Sequence, residues 1–374
     1  MQMQTPFEDN DIKFMRRALT LAKRGNWRTS PNPMVGAVVV KDGRIIGEGY
    51  HKKAGLPHAE IEAIMNSKES LKGATLYVTL EPCCHRDKRT PPCTDAIIEK
   101  GISRVVVAMR DPNPKVSGKG IETLTTHGID VKTGVLEKEA LKLNEFYVKY
   151  ITTHEPFVIL KTAMTLDGKI ATPTGNSKWI TSEKSRRYVH ILRSRVDALL
   201  SAYGTVIHDN PLFTSRIKNG KNPLRVIIDP ELKIPLNFNV YNPPPKTIAV
   251  VHSDFINQDK AKELMKRGVE LLEFSSEKVD LSWLMKELGK RGITSLLIEG
   301  GSSLNSYALW SGVVDKIMIF IAPKIIGGFN SYPVVGGKLY RDIPEAFKVN
   351  NLRIKRIEND ILIEGYIAKD LKNF

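Results

Sequence analysis

The first half of the chain alternates between two hydrophobic periodicities. Short apolar runs bounded by turn residues predict buried strands, and apolar positions three or four residues apart predict helices between them. The predicted strands are 35–40, 45–50, 75–80, 104–109 and 129–132, and the predicted helices are 8–24, 58–66, 94–100, 120–127 and 137–150. Strands that alternate with helices are typical of a layered α/β domain.

The second half repeats this alternation with longer connections. Its predicted strands are 157–161, 198–202, 224–229, 247–252, 269–274, 295–299 and 316–322, and its predicted helices are 182–195, 278–290 and one that begins after Gly300. The stretch Thr152-Thr153-His154-Glu155-Pro156 interrupts the pattern between the two halves. We therefore predict two α/β domains, residues 1–153 and 154–374, and a length of 374 residues fits that number.

Composition and charge narrow the functional classes. The net charge of +15 is spread over both halves, with +6 up to Thr153 and +9 beyond it, and no basic arm is present. Nucleic-acid binding usually needs a basic patch or stripe, so the spread charge favours a basic surface or attraction of a small phosphorylated substrate. No apolar run approaches the roughly 18 residues of a membrane span, and residues 1–6 lack the features of a signal peptide. We expect no nucleic acid, no membrane and a cytoplasmic location.

All three cysteines lie within residues 75–93, downstream of His58-Ala59-Glu60. Such clustering of an odd number argues against a disulfide framework. One histidine and two thiolates, His58, Cys83 and Cys93, would give three ligands of a tetrahedral zinc site with the fourth place open for water. Glu60 could carry protons for that water. A His-x-Glu motif followed by Pro-Cys and a second cysteine is the signature of zinc-dependent deaminases.

Several alternatives stay open at this point. Cys84 could replace its neighbour as a ligand, although Cys83 is preferred because it directly follows Glu81-Pro82. A deaminase acting on nucleic acid would share the zinc motif and suit the positive charge. A non-enzymatic binding protein would instead hold structural zinc with four protein ligands and no open position.

The chain resembles known families on several motifs. Through His58-Ala59-Glu60 and Pro82-Cys83, its first half resembles the cytidine-deaminase-like superfamily. Over nearly its whole length it is similar to the bifunctional riboflavin-biosynthesis deaminase/reductases. The motifs that carry this similarity are Asn32-Pro33-Met34-Val35-Gly36-Ala37, His51 with Ala54-Gly55, Thr79-Leu80-Glu81-Pro82-Cys83, Arg89-Thr90-Pro91-Pro92-Cys93, Asp111-Pro112-Asn113-Pro114, 161–171, Trp179-Ile180-Thr181, Asp209-Asn210-Pro211 and Glu299-Gly300-Gly301.

The resemblance implies a fold and two activities. A cytidine-deaminase-like layered domain would precede a dihydrofolate-reductase-like domain. The first would deaminate 2,5-diamino-6-(5-phosphoribosylamino)pyrimidin-4-one with Zn²⁺, and the second would reduce the ribosyl to the ribityl side chain with NADPH. The family also tends to form homo-oligomers through its reductase domain.

The resemblance also implies roles for individual residues. In the deaminase, the substrate would contact Asn32, His51, His85 and Arg89. In the reductase, the cofactor would contact Ala163, Trp179, Thr205, Asp209, Gly301, Ser302, Ser303, Leu304, Asn305 and Ser306. The reductase substrate would contact Lys161, Ser177, Arg193, Phe213, Arg216 and Glu299, with the arginines suited to its phosphate.

The residues alone say less about the second half. It has no G-x-G-x-x-G fingerprint, but Glu299-Gly300-Gly301-Ser302-Ser303 lies between a predicted strand and a predicted helix, where glycines let backbone N–H groups approach a phosphate. Two departures from the family pattern matter. The loop between Cys83 and Cys93 looks one residue longer than usual, which keeps Cys84 open as a ligand. Tyr203 stands in a segment that is usually richer in glycine, where it could crowd the cofactor.

Overall fold

The structure is a computed structural model that describes residues 7–26, 28–86, 91–337 and 340–368. The chain divides into two compact units, Met1–His154 and Glu155–Phe374. Within the described ranges, none of the helices combines the length and the apolar character needed to cross a membrane.

The first unit is built on a five-stranded sheet with the order β2-β1-β3-β4-β5. Its strands are β1 Gly36–Lys41, β2 Arg44–Tyr50, β3 Thr75–Leu80, β4 Arg104–Met109 and β5 Asp130–Thr133. Strand β1 runs antiparallel to β2 and β3, whereas β3, β4 and β5 are mutually parallel. Parallel neighbours need crossover connections, and helices supply them.

Among the described residues of the first unit there are six α-helices, and a 3-10 turn follows the first of them. The helices are α1 Asp9–Ala22, α2 Ala59–Met65, α3 Cys93–Glu99, α4 Lys119–Thr126, α5 Glu137–Leu143 and α6 Glu145–Thr153, and the 3-10 turn is Lys23–Gly25. The central strands are buried on both faces, with Val38, Val78 and Val106 fully inaccessible. This burial explains why these strands read in the sequence as continuous apolar runs.

One predicted helix of the first unit is wrong, because the structure divides it into two. Instead of a single helix over 137–150, the structure has α5 and α6 separated at Asn144, which adopts φ −109° and ψ 23°. The Asn144 amide donates to the Met34 carbonyl at 3.0 Å, and its oxygen accepts from the Met34 N–H at 2.8 Å. This buried contact, 110 residues away in sequence, holds Asn144 outside the helical conformation.

The second unit is built on a nine-stranded sheet with the order β11-β10-β9-β8-β12-β6-β13-β16-β15. Its strands are β6 Phe157–Thr165, β8 Ala198–Ala202, β9 Leu224–Ile228, β10 Thr247–His252, β11 Glu270–Phe274, β12 Ser295–Ile298, β13 Lys316–Ala322, β15 Val349–Ile357 and β16 Asp360–Ile367, and β7 Lys169–Ala171 pairs separately with β14 Tyr332–Pro333. All neighbours from β11 to β13 are parallel, and the last two pairs are antiparallel.

Five α-helices lie in the part of the second unit that the structure describes. They are α7 Glu183–Arg193, α8 Tyr203–Asp209, α9 Asp259–Lys266, α10 Leu281–Lys290 and α11 Ser302–Trp310, and the 3-10 turns are Asn239–Tyr241, Ser253–Phe255 and Ile343–Glu345. Strand β12 lies between β8 and β6 in the middle of the sheet, and α11 follows its carboxyl end. Ligands of open α/β sheets bind outside the carboxyl ends of such strands.

The C-terminal strands β15 and β16 have no counterpart among the predicted elements. Strand β15 forms the sheet edge and is exposed along almost its whole length, so neither of its faces is buried. A strand that buries neither face lacks the alternation on which strand prediction depends.

Candidate functional sites

The first unit brings His58, Cys83 and Cys93 together. In the part of the chain that the structure describes, these three form the group able to hold a metal ion, with their ligand atoms all within 4.8 Å of one another. The imidazole Nδ1 of His58 lies 3.4 Å from the Cys83 Sγ and 3.3 Å from the Cys93 Sγ. One nitrogen and two sulfur ligands suit zinc, and a set of three leaves a coordination place for water.

Each residue of this group lies at the end of an element. His58 immediately precedes α2, Cys83 follows β3 after two residues, and Cys93 is the first residue of α3. The Cys93 backbone N–H donates to the Cys83 Sγ at 3.4 Å. N–H groups at helix N-termini favour the thiolate form of cysteine.

Glu60 lies in the first turn of α2 and is 3% exposed. Burial raises the pKa of its carboxyl, while the neighbouring His58 and a hydrogen bond with Cys93 act in the opposite direction. A carboxyl whose pKa is raised binds a proton more readily than an exposed one, which suits a group that takes up a proton and passes it on.

Cys84 does not belong to the metal-binding group found among the described residues. Its side chain is half-buried, and burial raises the pKa of its thiol. Consecutive residues leaving a strand point in different directions, and here Cys83 is the one directed at His58.

Two of the predicted substrate residues lie beside this group. The Asn32 amide nitrogen is 3.1 Å from the His51 Nε2, and the His51 Nδ1 is 3.1 Å from the Pro57 carbonyl. The His51 ring meets the His58 ring edge-to-face at 5.5 Å. His85 is half-buried after Cys84, and Arg89 lies outside the described residues.

The second unit buries a carboxylate with two cations at the centre of its sheet. Glu299 follows β12, and its Oε1 and Oε2 accept from the Arg193 Nε and Nη2 at 2.6 and 2.9 Å. The ammonium of Lys161, on β6, lies 3.3 Å from the Glu299 Oε2. Burial alone would raise the pKa of Glu299, but Arg193 and Lys161 lower it to about 2.

The contacts of Arg193 bear on its predicted phosphate role. Besides Glu299, its guanidinium donates to the Thr214 carbonyl at 3.2 Å and lies 5.7 Å from the centre of the Phe213 ring. All three guanidinium nitrogens therefore already have an acceptor. Arg216 is exposed, which leaves it the better placed of the two arginines for a phosphate.

Two further predicted residues meet at the end of α8. The Ser177 hydroxyl donates to the Asp209 Oδ1 at 3.5 Å, and the same oxygen is 3.3 Å from the Lys178 ammonium. Trp179 is 61% exposed, with the Arg186 guanidinium 4.5 Å from its ring centre. An exposed aromatic ring of this kind is available to a ligand rather than packed in the core.

The start of α11 forms a cradle of buried polar atoms. Gly301 precedes the helix without a side-chain cap, and the Ser302 Oγ and the Asn305 side-chain Oδ1 are buried with no hydrogen-bond partner among the described residues. Gly336 borders them, because a Cβ there would lie 2.2 Å from the Ser302 Oγ. The Asn305 amide also donates to the Val334 carbonyl at 2.9 Å. The sequence did not predict that segment 334–336 belongs to this cradle. The adjacent glycines Gly336 and Gly337 are the one feature of the sequence that could have indicated it.

The remaining predicted cofactor residues differ in their surroundings. Thr205 faces the cradle, because a Cβ on Gly301 would lie 3.5 Å from its Oγ1. Ala163 is half-buried on β6, Ser303 is exposed and Ser306 is buried. Leu304 packs into the hydrophobic core, so only its backbone could contact a ligand. Tyr203 is exposed, with the Lys233 ammonium 5.7 Å from its ring centre.

Two family models match the chain. Residues 8–109 match the cytidine and deoxycytidylate deaminase zinc-binding region, and residues 156–363 match the RibD C-terminal domain. The riboflavin biosynthesis protein RibD of Aquifex aeolicus is 48% identical over 94% of this chain and 97% of its own length. The Escherichia coli protein of that name is 41% identical over 85% and 89%.

Solved structures give the same result for the fold. A diaminohydroxyphosphoribosylaminopyrimidine deaminase/5-amino-6-(5-phosphoribosylamino)uracil reductase from Thermotoga maritima superimposes with a TM-score of 0.85 and 43% identity, covering 96% of this chain and 99% of that one. RibD from Acinetobacter baumannii superimposes with a TM-score of 0.86 and 36% identity over the same shares.

Proposed function

The chain belongs to the RibD family of riboflavin biosynthesis, and from that membership we propose how its residues divide the family's two reactions. The predicted pairing of a cytidine-deaminase-like domain with a dihydrofolate-reductase-like domain is confirmed, as is the prediction of a bifunctional deaminase and reductase that uses zinc and NADPH. The proposal assigns deamination to residues 1–153 and reduction to residues 154–374. The substrate is the diaminopyrimidine carrying a phosphoribosylamino group.

In the first unit, His58, Cys83 and Cys93 would hold the zinc ion. Their spacing and their nitrogen and sulfur donors fit that metal. When bound, zinc supplies a Lewis acid that activates water for hydrolysis. Glu60 would hold the proton taken from that water at its buried carboxyl and deliver it to the departing amino group.

Asn32 and His51 would orient the pyrimidine beside Glu60. Since the Pro57 carbonyl accepts from a protonated His51 Nδ1, the Nε2 is left to accept from Asn32, and both side chains are held in place. Burial also lowers the pKa of His51, which favours the neutral ring. His85 and Arg89 stay predicted substrate contacts.

In the second unit, the cradle at the start of α11 would hold a phosphate of NADPH. The first turn of α11 offers backbone N–H donors, and the buried Ser302 hydroxyl offers another; donors at a helix N-terminus are what an anion-binding cradle requires. Gly336 borders this cradle by its close approach to Ser302. When bound, NADPH supplies the hydride. The predicted contacts Ala163, Trp179, Thr205, Asp209 and Gly301–Ser306 belong to this proposal.

Lys161 would act at the ribosyl group that is reduced. Its ammonium is held by Glu299, and it could donate the proton that accompanies reduction of a carbonyl or imine. Arg193 would keep Glu299 ionised, whereas Arg216 is the candidate for the substrate phosphate. Ser177 and Phe213 remain predicted substrate contacts.

We also propose that the chain forms a homo-oligomer through its second unit and works in the cytoplasm. The exposed edge strand β15 carries Leu352 and Ile354, which are 58% and 74% exposed. Open strand edges with apolar side chains favour association. Sedimentation of the intact chain tests this, and a monomer would contradict it. Reduced thiolate ligands suit the cytoplasm, and recovery of the protein outside that cell fraction would argue against the location.

The observation that carries the proposal is the convergence of His58, Cys83 and Cys93 beside a buried Glu60. Glu60→Ala should therefore retain zinc and lose ammonia release by about 10² to 10⁴-fold. The measurement supplies the diaminopyrimidine phosphate with and without NADPH, and follows ammonia release and NADPH oxidation separately. Oxidation on separately supplied deaminated substrate should be unchanged. Deamination near the original rate would refute the role of Glu60.

A further inference from the structure

Glu81 is a buried carboxylate that the proposed chemistry does not use. It follows β3 directly and is 3% exposed. Both of its oxygens accept from backbone N–H groups. The donors are Asp111 and Gly118 to Oε2, at 3.2 and 3.0 Å, and Gly120 and Ile121 to Oε1, at 3.0 and 3.2 Å.

This arrangement caps helix α4 from another element. Gly118 precedes the helix and offers no side-chain cap, so the first N–H groups of α4 need an outside acceptor. A negative charge at a helix N-terminus is also favoured by the helix dipole. Glu81 meets both needs, and in return its buried charge is fully hydrogen-bonded.

The same contacts fix the path from Glu81 to Cys83. Gly120 packs so closely that a Cβ there would lie 2.1 Å from the Pro82 carbonyl oxygen. On the other side, the Cys83 carbonyl accepts from the Thr94 N–H at 3.3 Å. Residues 81–83 are therefore held between the first turn of α4 and the first turn of α3.

We propose that Glu81 is a positioning residue of the metal centre. By anchoring residues 81–83 to α4, it holds the Cys83 thiolate where it completes the ligand set with His58 and Cys93. The inference rests on the proposed function through the assignment of those three ligands. Both Glu81 oxygens already accept from backbone N–H groups, so Glu81 would act through Cys83 rather than as a ligand itself.

The test replaces Glu81 with glutamine in the full-length chain. The side chain keeps its size, but an NH₂ group then faces two N–H donors, so the anchor loosens. The zinc dissociation constant, measured by competition with a chromophoric chelator, should rise by about 10 to 100-fold, the usual cost of losing a supporting contact of a metal ligand. The thiolate-to-metal absorption of the cobalt-substituted protein should shift as well. Glu81→Asp, which keeps the charge but reaches less far, should give an intermediate constant and covers the case in which the glutamine variant does not fold.

Asp11→Asn is the matched control. Asp11 is also fully buried in this unit, and it accepts from Tyr77, Arg104 and Lys132, each at 3.0 Å, away from the metal group. It should lower the melting temperature while zinc affinity stays within about twofold of wild type. If Glu81→Gln and Glu81→Asp also bind zinc within twofold, Glu81 only anchors the fold and the inference is overturned. If Cys83→Ser binds zinc as tightly as wild type, the ligand assignment fails instead.

Discussion

The two units each bury a glutamate near their candidate site, and they stabilise its charge in different ways. Glu81 accepts from four backbone N–H groups. Glu299 is paired with the guanidinium of Arg193 and the ammonium of Lys161. Both carboxylates are almost inaccessible to solvent.

The difference decides how each site can fail. Backbone N–H groups are neutral and remain in place whatever side chains the donors carry, so Glu81 is sensitive mainly to changes in backbone position. The partners of Glu299 are two charged side chains, so replacing one of them leaves the buried carboxylate with a single positive charge beside it. Removing one partner of a buried ion pair is strongly destabilising.

The largest effect is expected from Arg193→Ala. Loss of the guanidinium leaves Glu299 with Lys161 alone, and the free energy of unfolding of the second unit should fall by about 3–5 kcal/mol. NADPH oxidation should be lost while ammonia release persists. Urea unfolding followed by tryptophan fluorescence measures this, because three of the four tryptophans, Trp179, Trp283 and Trp310, lie in the second unit.

Arg193→Lys serves as the control. It keeps the charge but cannot reproduce the two parallel hydrogen bonds to Glu299, so its loss of stability should be intermediate. A loss below about 1 kcal/mol for the alanine variant would mean that the pair resembles an exposed ion pair, and the contrast between the two units would disappear.

A smaller effect is expected from acid. The folded pKa of Glu299 is about 2, depressed from its ordinary 4.5 despite burial because of Arg193 and Lys161. Its contribution to stability, up to about 3 kcal/mol, is therefore present above pH 4.5 and is lost as the pH falls toward 2.

Unfolding of the second unit at pH 5 and pH 3, in wild type and in Glu299→Gln, measures this contribution. The glutamine variant should be less stable at pH 5 but lose less stability between the two pH values. Equal slopes for both proteins would show that other groups govern acid unfolding.

The smallest effect is expected from a change near Glu81, the glutamate that is held by backbone N–H groups. Gly120→Ala should destabilise the first unit by about 1–3 kcal/mol, because the new methyl group collides with the Pro82 carbonyl and forces α4 away from Glu81. Hydrogen exchange of peptides covering residues 119–126 reports the local opening.

Gly204→Ala is the matched control. Gly204 is likewise the second residue of its helix, α8, but the added methyl group would have no atom of the described residues within 4 Å. It should leave exchange in α8 unchanged or slow it, since alanine restricts the unfolded chain. Equal exchange of α4 in wild type and Gly120→Ala would mean that this close contact does not constrain the metal side of the unit.

Much of the fold followed from local patterns. Strands β3 and β4 have the predicted bounds because their apolar runs are bordered by polar and turn residues. Helices α2 and α3 begin within one residue of their predicted starts, and both follow a proline segment. The His-x-Glu and Pro-Cys motifs were also enough to predict zinc-dependent hydrolytic deamination.

Tertiary contacts decided the rest. Asn144 separates α5 from α6 because it pairs with Met34, 110 residues away in sequence. Helical periodicity cannot indicate a contact between residues so far apart. Strand β15 is held by pairing with β16 rather than by a buried face, so its sequence carries no strand pattern. The direction in which Cys83 and Cys84 leave β3 was likewise open until the chain was folded.

Residue identity and short-range periodicity were enough to predict which chemical groups this protein carries and the order of most of its elements. Which of those groups meet depends on long-range contacts, and these are present only in the folded chain. Glu81 is part of a family motif, yet its partners are backbone N–H groups of four distant residues. Every non-proline residue has such a group, so residue type cannot reveal which of them a folded chain brings to one carboxylate.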